Sequence, residues 1–255
     1  MLECVINVSC AEGAALDAIA TAAGAALRDV HSDADHHRSV LTLVGDDVEA
    51  AARRVADEAV ARLDLRTHVG AHPRIGVVDV VPFVALDGST PADAQAARDR
   101  FADWAGATLA LPCFLYGPER TLPEVRRRAW HDLVPDAGPP APHPTAGACA
   151  VGARPVLVAY NLWLRDPDLD LARSIAARLR SEHVRALGLQ IGEHVQVSLN
   201  LVAPARFGPA QAFDAVAALA PVARAELVGL VPGVVLDAVA PSRWPALDLA
   251  EDRRL

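Results

Sequence analysis

Apolar positions along this chain fall into short β-branched blocks separated by Ala-rich stretches with polar punctuation. Residues 3–9, 40–44, 75–82, 109–116, 156–164, 183–191, 194–202 and 224–231 read as strands, most as buried apolar runs. The Ala-rich segments 14–28, 48–63, 91–106, 168–181 and 209–220 read as helices. Their punctuation agrees. Asp46 or Asp47 is placed to cap the second helix, Thr90 caps the third with Pro91 at its first position, and Gly208-Pro209 opens the last. Gly192-Glu193 between two strands is a hairpin signal. Residues 3–117 therefore read β-α-β-α-β-α-β, with the pairing order left open. Residues 156–231 read β-α-β-β-α-β, the ferredoxin-like order. Each part has apolar strands that carry a single asparagine, which points to a duplicated α/β unit in an α+β fold. The tail 241–255, with Pro, Trp244 and charges, is expected at the surface.

Between the two parts, residues 135–147 (Pro-Asp-Ala-Gly-Pro-Pro-Ala-Pro-His-Pro-Thr-Ala-Gly) are too rich in Pro and Gly for the interior of a helix or sheet. They read either as an interdomain linker or as a stiff loop around a ligand. The expected division is 1–134, a loop and linker at 135–155, and 156–255.

Composition narrows the chemistry. The chain has 255 residues, 52% of them hydrophobic, enough for one large or two small cores. The net charge of −8 argues against a nucleic-acid partner. The start lacks a basic n-region, and no apolar run is long enough to span a bilayer. Cys4, Cys10, Cys113 and Cys149 have no paired spacing and read as reduced thiols of a cytoplasmic protein. There is no lysine, which rules out a pyridoxal Schiff base and a phosphate-loop lysine. Asparagine occurs only at Asn7, Asn161 and Asn200. Each lies in or at the end of an apolar strand, as a satisfied core amide or a ligand contact.

Residues 68–83 read His-Val-Gly-Ala-His-Pro-Arg-Ile-Gly-Val-Val-Asp-Val-Val-Pro-Phe. Pro73 blocks a helix and Gly70 and Gly76 allow close backbone approach, so His72 and Arg74 are expected on a rigid turn at the mouth of a sheet. An imidazole there is suited to moving a proton near neutral pH. It also fits a plain hydrogen-bonding role. A zinc site from His68, His72 and Asp79 is a third reading, although the i, i+4 histidine spacing suits zinc only on a helix. Arg126-Arg127-Arg128 reads as a solvated helix face, or as an attractor of an anionic ligand.

The 68–83 segment resembles the central motif of the glutamate formiminotransferase family. The likeness continues through Glu3-Cys4-Val5-x-Asn7-x-Ser9, Asp35-His36-His37-Arg38-Ser39-Val40, Leu115-Tyr116-Gly117, Pro135-Asp136-x-Gly138-Pro139, Gly147-Ala148-x-x-x-Gly152-Ala153-Arg154, Gln196-Val197-Ser198-x-Asn200-Leu201 and Glu226-Leu227-Val228-Gly229-Leu230-Val231-Pro232. These matches are collinear from residue 3 to about 240. The resemblance implies two intertwined ferredoxin-like subdomains, a homodimer, and substrates bound in a groove between the subdomains. It implies transfer of a formimino group from N-formimino-L-glutamate to N5 of tetrahydrofolate, the co-substrate, with His72 as catalytic residue and no metal.

On that reading Asp79 orients or supports the histidine. Arg38, Arg74 and Arg154 pair with substrate carboxylates. Gly138, Pro139, Pro140, His143 and Gly147 line the folate loop, and Asn7, Tyr116, Asn161 and Asn200 complete the binding set. The chain departs from the family at Ala137 and Ala146, where aromatics are usual, at Thr67 and Val69 in place of lysines, at Ala71 in place of Glu, and at His37 in place of Asn. Weaker folate binding, formyl transfer between 5-formyltetrahydrofolate and glutamate, and a non-catalytic folate- or anion-binding protein are the alternatives.

Overall fold

The computed structural model describes residues 1–70 and 73–255. It divides into two compact units, Met1–Pro155 and Val156–Leu255.

The first unit opens with β1 (Leu2–Val8), α1 (Gly13–Ala23), β2 (Leu27–Asp33), β3 (Arg38–Gly45), α2 (Val48–Arg62) and β4 (Val78–Ala85). This is β-α-β-β-α-β, and the strands lie in the order β2-β3-β1-β4. The ferredoxin-like order, expected from sequence only in the second half, thus occurs in both. The difference is β2. The expected helix over 14–28 stops at Ala23 because Gly24 takes a positive φ of 62°. One 3-10 turn follows, then an edge strand. The β2 sequence Leu-Arg-Asp-Val-His-Ser-Asp shows no apolar alternation because the strand is only partly buried at the sheet edge.

Two further strands widen this sheet. After α3 (Pro91–Thr108) come β5 (Cys113–Tyr116), α4 (Leu122–Arg128) and β6 (Cys149–Ala153), and the full order is β2-β3-β1-β4-β6-β5. β6 lies parallel to both β4 and β5. Its sequence, Cys-Ala-Val-Gly-Ala, has little intrinsic strand preference. Burial between two neighbours makes it a strand, and all five residues are buried. Gly152 is required there, since a Cβ would lie 2.0 Å from the Tyr116 ring. The Pro/Gly-rich stretch feeds β6 and is fixed to the sheet. Cys113 N–H donates to Ala137 O at 2.9 Å, Val77 N–H to Ala146 O at 3.0 Å, and Ala148 N–H to Ile75 O at 2.9 Å.

Helices α1, α2 and α3 share one core with the sheet, built from Ile6, Ile19, Leu41, Val55, Phe83 and Phe101. Each such side chain contributes about 1.5–3 kcal/mol on burial. Helix α4 covers the opposite face of β4, β5 and β6, where Val125 packs with Val80, Phe114 and Ala150.

The second unit contains β7 (Val158–Leu164), α5 (Leu169–Leu179), β8 (Val184–Ile191), β9 (His194–Leu201), α6 (Pro209–Ala217), β10 (Val222–Val228) and a short α7 (Gly233–Asp237). The sheet order is β10-β7-β9-β8, all antiparallel. Ile175, Ala176 and Val216 of the helices share a core with Tyr160, Leu162, Val197 and Leu199 of the strands. The tail is not a loose surface segment. Leu247 and Leu249 are buried, Tyr160 Oη donates to Leu247 O at 2.8 Å, and Leu227 N–H donates to Asp248 Oδ2 at 2.8 Å. The fold is α+β with a repeated ferredoxin-like unit.

Candidate active site

The polar residues of the first unit gather where β1 ends and β3 and β4 begin. The β1–β4 register places Asn7 opposite Val80 and Val8 opposite Val78, so Asp79 is an extra residue in β4. Such a bulge sets two successive side chains on one face. Val78 and Val81 enter the helix-covered core, whereas Val80 packs towards α4. Asp79 also faces α4. Its carboxylate is 1% exposed and accepts Arg126 Nη2 at 2.6 Å through Oδ2, while Oδ1 accepts the Ile75 N–H at 2.8 Å. Arg126 Nη1 donates to Pro73 O at 2.8 Å. The two ends of the 73–79 segment are therefore joined through one ion pair. A solvated face for Arg126 does not describe this contact.

Beside it, the Asn7 amide donates to Val5 O at 2.9 Å and its Oδ1 accepts from Arg38. Burial, with Arg126 and Arg74 pushing the same way against Asp79 and Asp33, brings the Arg38 guanidinium down to about 10, still charged at neutral pH. Arg74 Nη2 donates to His36 O at 2.9 Å, and Nη1 reaches the ring of His68. His68 also lies 2.8 Å from His37 Nδ1, with ring centroids 4.5 Å apart. Burial holds the His68 imidazole below its usual range, helped by Arg74 and His37 and opposed by the His37 carbonyl. His68 thus faces the Arg74 guanidinium, whose positive charge opposes a metal ion at this ring. Among the described residues no group of three or more His, Cys, Asp or Glu side chains could hold a metal. The zinc reading also needs His72, which lies outside the described residues, as does Ala71.

At the β2–β3 turn, His36 donates its backbone N–H to Asp33 Oδ1 at 2.8 Å and sets Nδ1 2.6 Å from Oδ2. Burial alone would raise the Asp33 carboxyl; the His36 hydrogen bonds and charge carry it down to about 2. A depressed carboxyl stabilises the fold above its unfolded value near 3.9 and loses that contribution as pH falls towards 2. His36→Ala is therefore expected to be less stable than the parent above pH 4, with the gap closing between about pH 4 and 2. Denaturant unfolding at pH 7 and at pH 2.5 tests this; an equal gap at both would count against it.

The loop residues divide. His143 and Gly147 exchange backbone hydrogen bonds of 2.8 and 3.0 Å, and Gly147 bridges to Gly76, close in sequence to Asp79. His143 Nδ1 accepts the Ala146 N–H at 2.9 Å. Gly138, with φ 81°, sits against Leu111 O and Gly106 near the end of α3, and Pro139 and Pro140 follow it towards solvent. Tyr116 is buried with its ring on Gly152, and burial pushes its phenol well above the usual range. Arg154 donates to Pro155 O at 3.0 Å and its charge partly offsets the upward shift that burial gives the Glu3 carboxyl. In the second unit Asn161 donates to Glu226 Oε2 at 3.3 Å, and Trp163 donates to the same oxygen at 2.7 Å. Asn200 is exposed on β9.

A family model for the N-terminal subdomain of the formiminotransferase domain matches residues 1–154. The chain belongs to this formiminotransferase family. It is 36% identical to a glutamate formimidoyltransferase of Streptococcus pyogenes serotype M1, over 79% of this chain and 77% of that protein. It is 32% identical to a glutamate formimidoyltransferase of Thermoplasma acidophilum, over 94% and 91%. The formimidoyltransferase-cyclodeaminase of Gallus gallus is 33% identical over 91% of this chain, which spans half the length of that protein. The match to the N-terminal subdomain model ends within the first unit and takes in the whole Asn7–Arg38–Arg74–Asp79–Arg126 cluster. No helix among the described residues is long and apolar enough to cross a membrane.

Proposed function

We propose that this formiminotransferase-family member moves a formimino group from N-formimino-L-glutamate to N5 of tetrahydrofolate, with His72 as general base and then general acid. The amine N5 attacks the amidine carbon, and a tetrahedral intermediate forms. His72 takes the proton from N5 and returns it to the glutamate nitrogen as the carbon–nitrogen bond to glutamate breaks. Arg38, Arg74 and Arg154 receive the carboxylates of glutamate and folate. Asn7 orients Arg38, and Asp79 acts through the backbone of the segment that follows His72, where it holds the Ile75 N–H. Gly138, Pro139, Pro140, His143 and Gly147 border the folate, with Tyr116, Asn161 and Asn200 in supporting contacts. No metal is required. The substrates are small and soluble, and the protein is a cytoplasmic homodimer on this reading.

The observation that carries the proposal is the pinning of the 73–79 segment by Asp79 and Arg126 beside Asn7 and Arg38. A general base works only when it is held within hydrogen-bond reach of its proton, and this segment directly follows His72 in the chain. The names of the relatives support the same reaction class. Calorimetric titration of tetrahydrofolate, with and without N-formiminoglutamate, is the test. Saturable binding with reaction heat only when both substrates are present is expected. No binding at millimolar folate would overturn the reading.

A second reading has its own observation. Ala146 is fully buried and Ala137 packs against the same core, so neither side chain covers a pterin ring as an aromatic would. Folate binding without turnover would favour a non-catalytic homologue. Faster reaction with 5-formyltetrahydrofolate and glutamate, at equal concentrations of the two donors, would favour formyl transfer.

A further inference from the structure

Three consecutive arginines end α4, and successive helix positions point about 100° apart. They therefore meet three surroundings. Arg127 is exposed, and Arg128 pairs at the surface with Asp132 at 3.1 Å. Arg126 alone of the three reaches the sheet. Its Nη2 donates to a buried carboxylate, Asp79 Oδ2 at 2.6 Å, and its Nη1 donates to a backbone carbonyl, Pro73 O at 2.8 Å, and more distantly to Asp79 Oδ1 at 3.4 Å. The same carboxylate holds the Ile75 N–H. One guanidinium–carboxylate pair thus ties Pro73, Ile75 and Asp79 together. The anchor is itself firm. Thr121 and Glu124 form a capping box at the start of α4, and Val125 and Ala129 are buried on the sheet.

We propose that Arg126 is a positioning residue for the 73–79 segment that directly follows His72 in the chain. The fork of its guanidinium fixes the carbonyl of Pro73, the residue that follows His72 in the chain, relative to Asp79. Its contribution falls on the orientation of the reacting histidine and leaves substrate affinity nearly untouched. Lysine cannot replace it, because a single ammonium does not span a carbonyl and a carboxylate in a planar fork. This inference rests on the proposed role of His72 in transfer.

The test uses the full chain and three variants: Arg126→Lys, Arg127→Gln, and the double variant Asp79→Asn/Arg126→Gln, which leaves neither charge buried alone. Arg126→Lys is expected to lower kcat by about 10²-fold, the scale of a misplacement of about 1 Å, with KM for both substrates within about threefold of the parent. The double variant should be folded and similarly slow, and Arg127→Gln should match the parent. A second readout does not depend on turnover. The ring resonances of His72, assigned by their loss in His72→Gln, should shift in Arg126→Lys and stay in place in Arg127→Gln. If the parent fails to use N-formiminoglutamate, the proposed function fails while these resonances still decide the role of Arg126. Unchanged kcat with unmoved resonances in Arg126→Lys overturns the inference. So does a rise in KM at constant kcat, which would make Arg126 a substrate contact.

Discussion

His72→Gln is expected to lower formimino transfer by about 10²–10⁴-fold and to leave folding intact. Glutamine keeps a planar, hydrogen-bonding side chain but cannot exchange a proton near neutral pH. An unperturbed imidazole titrates near 6.5, so it can both accept the N5 proton and return it within one turnover. Residues 73–79 have their own supports. Asp79 holds the Ile75 N–H, Arg126 holds Pro73 O, and Ser9 donates to Gly76 O at 2.9 Å. None of these bonds uses the His72 side chain, so the unfolding midpoint should stay within experimental error of the parent. The pH profile adds a second check. The parent's rate should fall at low pH, where a general base is protonated, and that limb should vanish in the variant. A variant that keeps parental turnover, or that keeps the limb, would remove His72 from the mechanism. Loss of activity together with loss of folding would show instead that the residue supports the fold.

The sequence carried the motif but not the device beneath it. The blocks at 3–9, 40–44 and 156–164 were readable because buried central strands are continuously apolar. β2 was not readable, because an edge strand with one polar flank can be built from Arg, Asp, His and Ser. β6 was hidden for a different reason. Its alanines and glycine are dictated by what lies beside them, the Tyr116 ring and the neighbouring strands, and not by propensity. Hidden again was the partner of Asp79. A run of three arginines gives no hint of which one turns inward until the helix has a sheet to lie on. The β-bulge that sends Asp79 and Val80 to the same face breaks the period-two rule at the residue where the rule would be applied. Local violations of pattern are expected where a site is built.

Gly76→Ala is expected to cost about 3–5 kcal/mol, far more than an ordinary glycine replacement. An added Cβ would lie 1.9 Å from Ala148 O and 2.7 Å from Ala146 O. Both are backbone atoms, so no side chain can swing aside. The chains must part by more than an ångström, at the place where Val77 N–H meets Ala146 O and Ala148 N–H meets Ile75 O. Losing two buried backbone hydrogen bonds at roughly 1–3 kcal/mol each accounts for the estimate. Gly88 is the control. It is exposed with φ 83°, and its Cβ would meet nothing within 4 Å. Alanine there pays only for the left-handed backbone, about 1–2 kcal/mol. Denaturant unfolding of the two variants decides: a loss at Gly76 no larger than that at Gly88 would sink the argument. The same contact also joins fold to function. The Gly76–Gly147 bridge connects the 73–79 segment to the loop of Gly138 and His143, so parting these strands separates the two halves of the proposed folate site. Gly76→Ala should therefore weaken tetrahydrofolate binding even where the variant remains folded, whereas Gly88→Ala should bind as the parent does.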